Sequence, residues 1–303
     1  MERKLIKQGG GGFTIYLPKK WLDRKGLKEG DNVKIIEKDA SLIIGSSAQK
    51  RNDVTIKITQ ENKIDLQNIL THVYRKGYDK IKIEGFDKHL LKQIKNITEQ
   101  LLLGFEITDQ TKTSCMLENI SEPTGDRYDM LIRKLFLIIK ETQELISGDF
   151  ERNKFENLKE MQILKSQQDK YILFSRRLIS KELFEKDTVL NWEMLTFLTH
   201  IQHAYLYLYK YASENKVKKD EEIMNYLKKL EDYFDLYFNS YYKQDINYIH
   251  KINKLKEEFQ FRKCLLSIEK SRNSKTVVLS YIREIFRLIQ IGTSPIMAMI
   301  LKH

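Results

Sequence analysis

Basic side chains crowd the first fifty residues of the chain. Arg3, Lys4 and Lys7 precede a run of four glycines, Gly9 to Gly12. Thr14 and Tyr16 follow two apart, and Lys19, Lys20, Arg24 and Lys25 lie between Pro18 and Gly26. Guanidinium and ammonium groups at this density suit the neutralisation of phosphates, and the hydroxyl-bearing neighbours suit contacts to sugars and base edges. The charge distribution points the same way. The net formal charge is +11, and residues 1–50 hold 11 Lys+Arg against 6 Asp+Glu, whereas residues 51–120 hold 11 against 10. The remaining 183 residues carry 31 against 26, a similar excess diluted over a longer stretch. Arg3, Lys4, Lys7, Thr14, Tyr16, Lys19 and Lys20 are therefore the candidate contacts to double-stranded DNA. The four glycines either let backbone approach a groove closely or form a flexible turn.

Other chemistries find little support in the spacing. There is no GxxxxGKS, HExxH or GxSxG motif, and no Cys/His or Ser/His pair with a supporting acid, so no enzymatic activity is expected. Cys115 and Cys264 stand alone and read as reduced, structural residues without a disulfide or zinc site. His200 and His203 share a helical face and with Asp169 could form a nitrogen-rich metal site, although packed or solvent-facing histidines explain them better. Glu156 and Glu160 have i,i+4 spacing on a Lys-rich stretch, as a solvated face would. Tyr205, Tyr207, Tyr209 and Tyr211 read as packing residues with hydroxyls turned to solvent rather than as a platform for single strands. No metal and no cofactor is expected.

The elements that must position these residues follow from periodicity and punctuation. Residues 1–48 read as strand Lys4–Ile6, a glycine turn, strand Phe13–Leu17, a short helix opened by Pro18 and closed by Gly26, and strands over 32–37 and 41–44. Residues 52–120 alternate as strand, helix, strand, helix, strand, strand. The strands are Val54–Ile58, Lys80–Ile83, Phe105–Ile107 and Ser114–Leu117, and the helices are residues 66–73, stopped by Gly77, and 90–103. That order predicts a small α/β layer with its helices on one sheet face. Residues 125–303 carry apolar side chains at three- and four-residue spacing. Breaks at 147–148, 185–187, 213–218, 240–244 and 271–274 divide them into six helices, as in an antiparallel bundle. The three prolines, Pro18, Pro123 and Pro295, fall near expected joints. No stretch supplies about 18 consecutive apolar residues, and Met1 is followed directly by Glu2, Arg3 and Lys4, so a cytoplasmic protein without membrane insertion is expected.

The run from Arg3 to Gly9, Phe13-Thr14-Ile15-Tyr16-Leu17-Pro18-Lys19-Lys20-Trp21, Gly26-Leu27-Lys28-Glu29-Gly30-Asp31 and Val33-Lys34-Ile35 resembles the AbrB/MazE/SpoVT swapped-hairpin domain. In that family two chains exchange hairpins to close one barrel, so the resemblance implies a homodimer. The three-part order, ending in a PhoU-like six-helix bundle, resembles the archaeal phosphate-uptake-regulator family. PhoU-like proteins often hold metal through acid pairs four apart on neighbouring helices. Here the matching segment 165–169 keeps only Asp169, and Thr199 and His203 stand where acids are expected, so the cluster is expected to be absent. The functional expectation is a DNA-binding transcription regulator, linked to phosphate uptake by resemblance, with the bundle as sensor or partner-binding module. The alternative is a PhoU-like adaptor that does not bind DNA and docks on a transporter or signalling protein. An antitoxin-like role fits less well, because such tails are short and disordered before binding.

Overall fold

The computed structural model describes residues 3–38, 41–46, 53–121, 127–181 and 187–301. The expected joint at 48–52, most of that at 120–126, with Pro123, and most of the break at 185–187 lie outside them. The chain divides into two compact units, Met1–Arg51 and Asn52–His303.

The first unit is two antiparallel hairpins and a short helix. Strands β1 (Ile6–Gln8) and β2 (Gly12–Thr14) form one hairpin, α1 (Lys19–Lys25) follows, and β3 (Val33–Lys38) pairs with β4 (Ser41–Ser46). Both first strands are offset from expectation. β1 starts two residues later, and β2 ends at Thr14, leaving Tyr16 outside the ladder. Pro18 precedes α1 rather than opening its first turn: its ψ of 124° is extended, and its carbonyl accepts from the N–H groups of Trp21 and Leu22. Gly26 ends the helix with φ 66°, and the N–H of Leu27 reaches back to the carbonyl of Leu22, a left-handed termination that glycine adopts without strain.

The second unit opens with a mixed four-stranded sheet of β5 (Asp53–Lys57), β6 (Lys80–Glu84), β7 (Phe105–Gln110) and β8 (Ser114–Asn119), in the order β5-β6-β8-β7. β5 and β6 are parallel and joined through α2 (Leu66–Arg75), whereas β8 runs antiparallel to both its neighbours. Alternation sends Ile56, Ile81, Ile83, Cys115 and Leu117 to a buried face and leaves Thr55, Lys57 and Lys82 exposed. Tyr74 of α2 meets Phe105 edge-on on that buried side, with ring centroids 5.2 Å apart. α3 (Lys88–Leu101) is capped by the Asp87 carboxylate, which accepts from the N–H of Leu90.

The remaining rods are α4 (Tyr128–Arg152), α5 (Leu158–Ser180), α6 (Thr188–Glu214), α7 (Glu221–Lys243), a fifth rod and α10 (Ser274–Ile300). The fifth rod is α8 (Ile246–Lys256), a π-helical turn at Glu257–Arg262, and α9 (Lys263–Lys270). Three sequence expectations need correction. α4 continues through Ser147-Gly148, because Ile146, Asp149 and Phe150 are buried on the turns around that pair; it stops only at Asn153, φ 55°. Pro295 lies inside α10, where its own burial and that of Ile296 and Met299 outweigh the missing N–H. Glu156 precedes α5, so Glu156 and Glu160 do not share one helical face. Gly292 lets α10 pass close to α6, since a Cβ there would come within 3.2 Å of Phe197 Cβ and the Tyr237 hydroxyl.

The α/β layer and the helices of this unit share one hydrophobic core. Arg177 of α5 joins them: its side chain is fully buried and its Nη1 donates to the carbonyls of Tyr74 (3.0 Å) and Tyr78 (2.7 Å). Its Nη2 donates to Asp79 at 2.7 Å, and its guanidinium lies against the rings of Tyr74 and Phe105. Among the described residues no helix is long and apolar enough to cross a membrane.

Candidate nucleic-acid interface

The hairpin of β1 and β2 closes through Gly9 (φ 64°) and Gly11 (φ 145°), while Gly12 already belongs to β2. Two of the four glycines are thus required by backbone conformation, and a Cβ on either would meet open space, not a neighbouring group. The register pairs Ile6 with Thr14, Lys7 with Phe13 and Gln8 with Gly12. Residues directly opposite project to the same face, so Lys7 and Thr14 lie on opposite faces of the hairpin. Thr14 donates its hydroxyl to Gln8 at 2.5 Å on its own face. Lys4 is exposed and precedes β1, and Tyr16 is exposed beyond β2.

A groove of about 720 Å³ collects another part of the set: Arg3, Lys19, Lys20 and Arg24 line it together with Trp21 and Leu42. Arg24 is held by donating from Nε to the Lys20 carbonyl at 3.3 Å. Among the described residues, none of Arg3, Lys4, Lys7, Lys19 and Lys20 forms an ion pair. A groove with four cationic side chains and an apolar floor can receive a phosphate backbone, and cations that pair with its phosphates displace the counterions condensed there. The structure thus gathers Arg3, Lys19 and Lys20, adds Arg24, places Lys7 and Thr14 on the hairpin strands, and leaves Lys4 and Tyr16 outside them. Arg24 was visible in the sequence as a cation one turn from Lys20.

The second unit resolves the remaining candidates. Asp169 of α5 accepts from Lys165 at 2.5 Å and lies 3.1 Å from Nε2 of His203 on α6. His200 is more exposed, and its basicity is lowered by partial burial and by the nearby His203 and Arg176. Thr199 donates to the Leu195 carbonyl within its own helix. Among the described residues no group of three or more His, Cys, Asp and Glu side chains is arranged to hold a metal ion. Burial alone would raise the Asp169 carboxyl, but hydrogen bonds from His203 and Lys165 outweigh it and hold the group below its usual range. A carboxyl depressed by folding stabilises the fold above its unfolded pKa, and that contribution fades as pH falls through the folded value. Asp169→Asn should therefore cost about 1–3 kcal/mol at neutral pH, with the difference from wild type shrinking in urea titrations carried towards pH 3. A difference that stays constant across that range would refute this assignment.

The tyrosine stripe needs a correction. Tyr205 and Tyr209 are buried to their hydroxyls, which meet Gln143 and Asp149 instead of solvent. Asp149, 1% exposed, also accepts from Asn157 at 2.9 Å and from Arg152 at 2.5 Å, tying the end of α4 to the start of α5. Tyr207, on the opposite side, is exposed. Burial pushes the thiols of Cys115 and Cys264 up to about 11, which leaves them protonated and unreactive. Comparison of the chain with protein-family models, with curated proteins and with solved structures found no match, so the reading of these residues rests on their own chemistry and placement.

Proposed function

We propose that the chain is a homodimeric transcription regulator that binds double-stranded DNA through residues 3–46, with its helical region as sensor or partner-binding module. The observation that carries this reading is the groove of Arg3, Lys19, Lys20 and Arg24, whose three candidate cations have no ion pair among the described residues. Of the hairpin residues whose burial is described, none is buried, and Leu5, Phe13, Tyr16 and Leu42 are 67–69% exposed. Apolar groups and strand edges displayed on so small a unit favour cover by a second copy. The sequence resemblance to swapped-hairpin domains supports the same dimer, and the resemblance to archaeal phosphate-uptake regulators supplies the physiological context.

The test is capture of fragments from the protein's own genome at near-physiological salt, followed by sequencing of what is retained. Enrichment of a few loci is the expected result. Retention of no duplex DNA by a folded dimer would overturn the reading in favour of an adaptor whose hairpins serve dimerisation alone.

A further inference from the structure

Two arginines in the second unit converge on one indole, with no counter-ion among the described residues. Arg75, in the last turn of α2, lies 5.8 Å from the ring centroid of Trp192 on α6, and Arg176 of α5 lies 5.2 Å from the same centroid. Arg176 is only 9% exposed. Its Nη2 donates to Thr196 at 2.8 Å, and its buried Nε has no partner. Among the described residues, no carboxylate lies within ion-pair distance of either guanidinium. The carboxylate that attracts Arg176 from further away, Asp169, is engaged by Lys165 and His203. Burial, reinforced by the positive charge of Arg75, pushes Arg176 down to about 10. Burial also lowers Arg75.

Two like charges held together while partly stripped of water raise the free energy of the folded protein unless an anion sits with them. The indole face offsets part of that cost for each guanidinium but supplies no negative charge. Arg75 is only partly buried, which gives access from solvent; Trp192 and Thr196 also line an open groove of about 530 Å³ that neither arginine lines, together with Glu193, which pairs with neither of them. Planar guanidinium groups match the oxygens of a phosphate in both geometry and charge, and two of them suit a dianion.

We infer that Arg75 and Arg176, braced on Trp192, form a binding site for a phosphate-class oxyanion where α2 meets α5 and α6. Such a ligand would bond to the α/β layer through Arg75 and to the bundle through Arg176, so occupancy would tighten the junction between them. This inference does not depend on DNA binding, and its test needs no DNA.

The experiment uses the full chain carrying Trp21→Phe, which leaves Trp192 as the sole tryptophan. Sodium phosphate is titrated against sodium chloride at matched ionic strength, with indole emission and thermal unfolding as readouts. A saturable change in emission and a rise in Tm with phosphate, absent with chloride, are expected. Arg75→Gln should abolish both responses while leaving Tm in chloride unchanged or higher, because it relieves the repulsion. A purely structural Arg75 would instead lower Tm. Arg75→Lys, which keeps the charge but not the fork, should weaken phosphate binding roughly tenfold or more. Adenosine monophosphate and a phosphoserine peptide form the second arm. Tighter binding of either, still lost in Arg75→Gln, assigns the site to a phosphomonoester, and equal or weaker binding assigns it to free phosphate. Chloride reproducing the response, or Arg75→Gln retaining it, overturns the inference.

Discussion

Arg177→Ala is expected to destabilise the Asn52–His303 unit by about 3–5 kcal/mol, the range for removing one partner from a buried charged network. Three effects add. The carbonyls of Tyr74 and Tyr78 lose a charged donor whose side chain is fully buried. The aromatic faces of Tyr74 and Phe105 lose the group packed against them, at 5.1 and 4.9 Å, and a side-chain-sized void remains. Asp79 is less affected, because Lys181 still reaches it at 2.6 Å. Asp79→Asn should cost less than Arg177→Ala, since Arg177 keeps two carbonyls and two ring faces, but still about 1–3 kcal/mol, because Arg177 and Lys181 both lose this carboxylate. Chemical denaturation of both variants, read at constant m, checks the order, and an Arg177→Ala loss of under about 1 kcal/mol would contradict it. Hydrogen exchange adds the location. Protection should fall first in α2 and the sheet, whose link to α5 has been cut, while α6 and α10 keep theirs.

This junction shows where sequence reasoning reaches its range. The strands of the α/β layer lie within a residue or two of expectation, apart from longer ends on β7 and β8, because half-buried sheets mark themselves by alternation, as at Ile81 and Ile83. The helix ends at Gly26 and near Gly77 were legible for a similarly local reason. Arg177 was not. Its partners lie about a hundred residues away, and one of two adjacent arginines in the amphipathic sequence of α5 looks like one more solvated cation. Asp149 hid in the same way, and the error had a consequence: its bonds to Tyr209 and Asn157 help hold α4 helical past Gly148, where local propensity alone ends the helix. The π-helical turn at Glu257–Arg262 has no period of its own to detect, and the buried partners of Tyr205 and Tyr209 come from α4. In the first unit, side-chain types were readable but their grouping was not. The offset of β1 and β2 decides which residues face together, and a shift of one residue exchanges the two faces.

That offset makes the DNA-binding reading sharper than a count of cations allows. Changing Arg3, Lys19 and Lys20 together to Ala empties the groove of three of its four positive charges. If each meets one phosphate in each half of a dimer, the slope of log K against log salt should flatten by about 5. Affinity at ~150 mM salt should then fall on the order of a hundredfold or more. Lys7 and Thr14 cannot both serve a single groove from opposite faces of one hairpin. Lys7→Ala and Thr14→Ala should therefore behave differently. The substitution on the DNA-facing side weakens binding, and the other alters dimer stability with little effect on the salt slope. Equal losses of affinity from both would mean that the hairpin is gripped on two sides, which a strand lying in one groove does not permit. The measurement is a salt series of binding isotherms for each variant on a retained fragment, with dimer dissociation followed in parallel. A triple variant that kept the wild-type slope would show that the groove of Arg3, Lys19 and Lys20 does not meet phosphate, whatever else the first unit binds.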